Sequence, residues 1–215
     1  MGFALGQVIY GPLSDSLGRK RPIFSGLGIY LVGSLICVFS GTLTTLLAGR
    51  FLQGFGVAAP RIVTTAIIRD KFEGPTMAKV LSIVMAVFIL VPTVAPALGQ
   101  GILWIAGWRA IFGMFLISAL TALSWFAVRM KETLPPEKQV PLSFQRSFSA
   151  VVEIFRTRTA LGYTLCIGWV FSPFIAYLST AQQIFADVFD KTEEFPAFFA
   201  MLTLSIGAAS LLNSR

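Results

Sequence analysis

Six stretches of this chain carry no Asp, Glu, Lys or Arg: residues 1–14, 22–49, 80–108, 110–128, 159–186 and 195–214. A soluble domain must cover its core with polar surface. Here 55% of the residues are hydrophobic and only 13% are charged, about half the share usual in soluble domains. That balance excludes an ordinary cytosolic enzyme and a disordered chain. The predicted fold class is an all-α polytopic membrane protein.

A helix needs ~20 apolar residues to cross a bilayer. The runs 22–49 and 80–108 exceed that, so each holds a span plus part of a loop. Ser40-Gly41-Thr42 marks a turn in the first, which places spans over 23–40 and 44–68. The second of these tolerates Arg50 and Arg61. Further spans are expected over 77–104, ending near Ala106-Gly107, and over 109–129, 159–184 and 195–213. Residues 1–14 reach only ~20 Å as helix, short of the ~30 Å hydrocarbon core. They read as the tail of a helix whose start lies elsewhere.

The connections then alternate sides. Arg19, Lys20, Arg21, Arg69, Lys71, Lys79, Arg129, Lys131, Lys138, Arg146, Arg156, Arg158 and Arg215 fall on one side, 13 of the 17 basic residues. The other side has only Arg109 and Lys191, and its loop near 187–194 is acidic (Asp187, Asp190, Glu193, Glu194). The basic side is cytoplasmic by the positive-inside rule. The longest polar stretch, 130–158, begins with the helix-breaking Leu134-Pro135-Pro136. Its later part, Phe144 to Phe155, reads either as an amphipathic helix on the inner surface or as a loose linker. Either way it joins an N-terminal bundle over 1–129 to the start of a second bundle over 159–215.

Other chemistry is excluded by what is missing. The chain has no His, which removes His-based triads, His metal sites and histidine pH switches. Cys37 and Cys166 lie far apart in apolar runs, so they read as buried free thiols rather than a disulfide framework or a zinc site. No metal or cofactor is expected. The net charge of +7 sits in the loops of one side, so it orients spans rather than binding nucleic acid. An enzyme embedded in the membrane would need clustered His, Asp, Glu or Cys within the spans, and none is seen.

Three motifs carry more specific information. The first cytoplasmic turn reads Gly11-Pro12-Leu13-Ser14-Asp15-Ser16-Leu17-Gly18-Arg19-Lys20-Arg21-Pro22-Ile23. Gly11 is expected to let helices approach, Gly18 to permit a tight turn, and Asp15 to pair with nearby cations. Arg19, Lys20 and Arg21 anchor the loop to the inner face. This segment resembles the loop between helices two and three of the major facilitator superfamily, Gly-x-Leu-Ala-Asp-Arg-x-Gly-Arg-Lys. Ser16 departs from the usual basic residue.

The second motif is Arg50-Phe51-Leu52-Gln53-Gly54-Phe55-Gly56. Arg50 and Arg61 are 11 residues apart, about three turns, so they share a face with Gln53, Gly54 and Val57. An Arg within a bilayer is costly and normally faces a cavity. The resemblance is to the fourth-helix motif Arg-x-x-Gln-Gly-x-Gly, which implies a role for Arg50 in proton coupling. For Arg61, snorkelling to the inner interface and a cavity role both stay open.

The third is Val91-Pro92-Thr93-Val94-Ala95-Pro96-Ala97-Leu98-Gly99-Gln100-Gly101. Two prolines one turn apart remove two helical donors, and Gly99 thins the helix. Pro96 and Gly99 match the fifth-helix antiporter motif, although Val91, Ala95 and Gln100 stand where it has glycines. A plain proline kink stays open for Pro92 and Pro96. With Gly107-Trp108-Arg109-Ala110-Ile111-Phe112 and Glu132-Thr133-Leu134, the chain resembles the bicyclomycin-resistance multidrug efflux branch.

The resemblance implies a secondary transporter that alternates access by rocking two six-helix halves about a midplane site. The chain is then expected to hold the end of helix two through helix eight, which makes its length that of a fragment. Its partners would be a drug or lipophilic cation, protons and the lipid bilayer of a bacterial inner membrane, with the complete protein a monomer. All ten carboxylates lie at loops or span edges, so no intramembrane proton acceptor is visible; the family often places one on helix one. Export of a metabolite, a non-transporting polytopic protein and an inactive fragment are the alternatives. Aromatic residues of the later spans (Trp169, Phe171, Phe174, Tyr177, Phe195, Phe198, Phe199) could line an apolar cavity or simply pack.

Overall fold

The computed structural model describes residues 1–191 and 194–213, and every regular element among them is helical. In chain order these are α1 (Gly2–Leu17), α2 (Lys20–Val38), α3 (Leu43–Lys71), α4 (Gly74–Arg129), α5 (Phe144–Arg156), α6 (Arg158–Asp187) and α7 (Phe195–Asn213), with a short 3-10 turn at Pro136–Lys138. Glu193 and Arg215, counted above on opposite sides, lie outside the described residues. Lys20–Val38, Leu43–Lys71, Val94–Arg129 and Arg158–Asp187 are long and apolar enough to cross a membrane, and Phe195–Ser205 is a shorter apolar helix. The spans expected over 77–104 and 109–129 both fall within α4. Gly107 divides them, with φ 70° and ψ 174°, a conformation that only glycine adopts cheaply.

Contacts divide the chain into two units, residues 1–88 with 98–142, and residues 89–97 with 143–215. In the first, α3 is the central element and packs along both α1 and α2. Its start is fixed locally. Thr42 Oγ1 accepts from the Thr45 N–H (3.2 Å) and Thr45 Oγ1 accepts from the Thr42 N–H (3.3 Å), a reciprocal cap at the turn expected over 40–42.

The α2–α3 seam is built from small residues, because lipid supplies little hydrophobic drive between helices and close contact must replace it. A Cβ on Gly33 would stand 2.7 Å from the Gln53 nitrogen and 2.8 Å from the Gly49 carbonyl oxygen. One on Gly56 would stand 2.5 Å from the Gly26 oxygen and from the Tyr30 nitrogen. Tyr10 packs on Ala58 and Ala59 across the α1–α3 seam, while Ile23 and Leu27 pack on Val63, with Leu123 and Phe126 of α4 against them. Among the described residues nothing lies within 4 Å of where a Cβ on Gly11 would be, so the helix contact expected of Gly11 is not seen there.

In the second unit Ala181, Phe195 and Phe199 form the core, with Tyr177 and Phe185 packed against them. Cys37 is buried as expected, but Cys166 is exposed. The face of α6 that carries Cys166 has few neighbours among the described residues; Tyr163, Trp169 and Val170 around it are exposed too.

Candidate functional site

Two polar clusters lie in the first unit, one at the helix ends that carry the basic residues and one inside the α2–α3 seam. The first cluster forms around Arg19, which caps α2 and is 5% exposed. Gly18 makes this possible. Its φ of 85° reverses the chain between α1 and α2, and any Cβ there would strike the Glu132 carboxylate. The Arg19 fork then divides its donors. Nη1 donates to Asp15 Oδ1 (2.6 Å) and to Ser14 Oγ (2.9 Å), while Nε donates to Asp70 Oδ2 (2.8 Å). A planar guanidinium spreads its donors over a rigid fork that spans these acceptors, whereas an ammonium presents its three from a single nitrogen. Burial alone would lower the Arg19 pKa. The hydrogen bonds and charges of Asp70 and Asp15 outweigh it and raise the pKa above the ordinary arginine value.

Glu132 completes the cluster from the far end of α4. Its carboxylate accepts the backbone N–H groups of Arg19 (2.8 Å) and Lys20 (3.0 Å), capping the first turn of α2. It also accepts those of Thr133 (2.9 Å) and Leu134 (3.1 Å) in its own segment. Partial burial would raise the Glu132 pKa, but these backbone donors hold it below the usual carboxylate range. Leu134 is buried, and the Val140 N–H donates to the Asp15 carbonyl (3.0 Å). The beginning of the polar stretch is thus pinned under α1, α2 and α3.

The second cluster begins at Arg50 on α3. Its Nη1 donates to Gln53 Oε1 (3.1 Å), one turn along the helix. Gln53 is 3% exposed and crosses the seam, where its Nε2 donates to Ser34 Oγ (2.8 Å). Ser34 passes its own hydrogen to the Tyr30 carbonyl (2.8 Å), and the Cys37 thiol faces Gln53 Oε1 at 3.8 Å. No buried side-chain polar atom lacks a partner among the described residues, as a low-dielectric interior demands. The Arg50 guanidinium also lies 5.9 Å from the centre of the Phe112 ring. Beyond the Gly107 break, Arg109 lies over Trp108 (4.4 Å) and donates to the Ser40 carbonyl (2.9 Å), tying α4 to the α2–α3 turn.

The structure therefore brings Asp15, Gly18, Arg19 and Lys20 into one cluster and Arg50 with Gln53 into another. Arg61 is half-buried three turns further along α3, outside the bonds just described. Pro96 and Gly99 lie in α4, and nothing described comes within 4 Å of a Cβ at Gly99, so no close packing is seen there. The Pro92 side chain lies outside the described residues. Tyr177, Phe195, Phe198 and Phe199 pack in the ring cluster around Phe185 and α7, while Trp169 and Phe171 are exposed. Asp70, Ser34 and Cys37 are additions that the motifs did not supply, and Glu132, quoted above only within Glu132-Thr133-Leu134, joins the cluster without having been expected there. For the two acids a signal existed, since both stand at helix ends on the basic side.

Comparison with known proteins accounts for this combination of spans, glycine-lined seam and charged turn. The family described as the Major Facilitator Superfamily matches residues 1–215. The chain belongs to this superfamily. That superfamily consists of multi-pass membrane transporters, not enzymes. Over its whole length it is 34% identical to the "Uncharacterized MFS-type transporter YdgK" of Bacillus subtilis (strain 168), covering 54% of that protein. It is 30% identical, also end to end, to the "Bicyclomycin resistance protein homolog" of Haemophilus influenzae, again covering 54%. Over 62% of the chain it is 34% identical to the "Multidrug resistance protein MdtL" of Shigella dysenteriae serotype 1 (strain Sd197), covering 34% of it. The chain spans about half the length of the first two relatives.

Proposed function

We propose that this chain forms part of a secondary transporter that exports drugs or lipophilic cations in exchange for protons. The observation that carries this reading is the Arg50–Gln53–Ser34 chain, a guanidinium held within a membrane-crossing helix by a buried amide. Such a charge is costly in a bilayer and normally marks a substrate or ion pathway. A guanidinium is not deprotonated in proteins, so Arg50 supplies a fixed positive field rather than a proton carrier. It would ease ionisation of a nearby carboxylate, and that acid must come from outside the spans seen here. The names of the Haemophilus and Shigella relatives support a drug as substrate.

In this reading residues 1–129 belong to one bundle, 130–158 are the cytoplasmic linker, and 159–215 begin the second bundle. They correspond to the end of helix two through helix eight. The Asp15, Gly18, Arg19 and Lys20 turn holds the cytoplasmic ends of one bundle as a unit, so that rocking moves it as a body. Arg61, Pro92, Pro96 and Gly99 remain candidates for the pathway and for the close contact between bundles. The complete protein is a monomer.

The test is efflux of a fluorescent lipophilic cation from proteoliposomes under an imposed pH gradient, with protein expressed from its complete gene. Arg50→Ala and Arg50→Lys are compared with the parent. The expected result is loss of gradient-driven efflux in Arg50→Ala and partial retention in Arg50→Lys. Full coupled efflux in Arg50→Ala would remove Arg50 from the mechanism.

A further inference from the structure

The second unit contains an element that the transport reading leaves unused. Helix α5 is strongly two-sided. Phe148, Val151, Val152 and Phe155 follow the spacing of a single helix face, with Ile154 at its edge, and Phe148 and Phe155 are 61% and 67% exposed. Arg146 and Glu153 lie away from this face, and Arg156 flanks it one turn beyond Val152. Ser143 starts the helix, its Oγ accepting from the Arg146 N–H (3.3 Å). Thr157 ends it and also begins α6, so a single residue forms the elbow between them.

That elbow decides where the exposed face lies. Helix α6 is long and apolar enough to cross a membrane, and it starts at Arg158. The end of α5 is therefore at the membrane surface, on the side that collects the basic residues. Between 144 and 158 the chain has Arg146, Arg156 and Arg158 against the single acid Glu153. A helix with a polar average composition, a strong apolar face and surplus cationic charge partitions into a headgroup layer instead of crossing it. Its charge matches acidic headgroups, whose surface potential attracts juxtamembrane cations.

We propose that α5 lies in the plane of the cytoplasmic leaflet, with its Phe148–Phe155 face in the acyl boundary and its arginines on anionic phospholipid headgroups. The chain then meets the membrane between its bundles as well as through its spans. Helix α5 becomes a surface anchor whose hold depends on lipid charge.

The experiment uses the complete protein with Cys37→Ser and Cys166→Ser. A nitroxide is attached at Phe148→Cys or at Glu153→Cys. Collisions with oxygen and with a water-soluble nickel chelate are measured in phosphatidylcholine vesicles with and without phosphatidylglycerol. With phosphatidylglycerol, position 148 is expected to be open to oxygen and shielded from the chelate, while position 153 stays open to the chelate. Removing phosphatidylglycerol, raising the salt, or adding Arg146→Glu with Arg156→Glu is expected to bring chelate access at 148 up to that at 153. Equal chelate access at both positions in phosphatidylglycerol vesicles would overturn the proposal. So would shielding at 148 that ignores lipid charge, salt and the arginine changes, since the face would then be covered by protein or held without anionic lipid.

Discussion

Arg19 and Glu132 show how much depends on single side chains at the basic ends of the helices. Arg19→Lys keeps a charge but loses the fork that reaches Asp15, Ser14 and Asp70 together. Asp70 is the less exposed of the two carboxylates and loses most, so the expected cost is about 1–2 kcal/mol, with Arg19→Ala costing more. Thermal unfolding in detergent gives the order, and equal melting temperatures for the parent and Arg19→Ala would refute the role. Glu132→Gln removes the anion from the α2 N-terminus. Its carboxylate is largely open to water, so the expected cost is only about 0.5–1 kcal/mol. The sign with pH follows from its depressed pKa. The contribution is complete above the ordinary Glu value of about 4.3 and fades as pH falls through the lower folded-state value. The difference between parent and Glu132→Gln should therefore shrink on acidification below about pH 4 and stay constant around neutrality. The motif around Asp15 and Arg19 was legible because its residues are four apart in sequence. Asp70 and Glu132 could be seen to stand at helix ends on the basic side, but not to meet Arg19, because they reach it from 51 and 113 residues away and only the folded helix ends bring them together.

At the scale of the element, the α2–α3 seam allows a paired prediction. Gly56→Ala puts a Cβ 2.5 Å from the backbone of α2, and Gly33→Ala puts one 2.7 Å from the backbone of α3. Backbone cannot swing aside as a side chain does, so the helices must separate. Each change is expected to destabilise by about 1–3 kcal/mol. Gly28 is on the same helix as Gly33 but has nothing within 4 Å of its would-be Cβ. There Ala replaces a poor helix former in open space, and Gly28→Ala should stabilise by about 0.5–1 kcal/mol. Opposite shifts in melting temperature for the two sites check the seam. Shifts of the same sign would show that helix propensity, not contact, governs both. The existence and ends of these helices could be read from charge-free runs and turn residues. Which glycines touch a neighbour could not, since that depends on the rotation of two helices about each other. Gly11, Gly99 and Cys166 show the same limit: sequence spacing marks them as candidates for contact or burial, but neighbouring elements decide the outcome.

For the whole molecule, the decisive question is how α4 traverses the membrane. As one straight helix its 56 residues would reach about 84 Å, nearly three times the ~30 Å hydrocarbon core. The Gly107 break, with Trp108 and Arg109 just after it, gives the chain a place to turn back at the far surface. Arg109 is one of only two basic residues assigned to that side, and its bond to the Ser40 carbonyl brings it to the α2–α3 turn, which is also expected there. Lys191 should lie on the same side, one crossing beyond the cytoplasmic stretch that contains Lys138. Single cysteines at Ala106, Lys138 and Lys191, in the complete protein with Cys37→Ser and Cys166→Ser, test this with a membrane-impermeant maleimide on intact cells. Ala106→Cys and Lys191→Cys should label from outside, and Lys138→Cys only after the membrane is opened. If α4 crossed once, positions 106 and 138 would lose their opposition, and labelling of Ala106→Cys only after permeabilisation would overturn the two-crossing reading. Labelling of Lys138→Cys in intact cells would overturn the cytoplasmic placement of the 130–158 stretch that its basic residues predict.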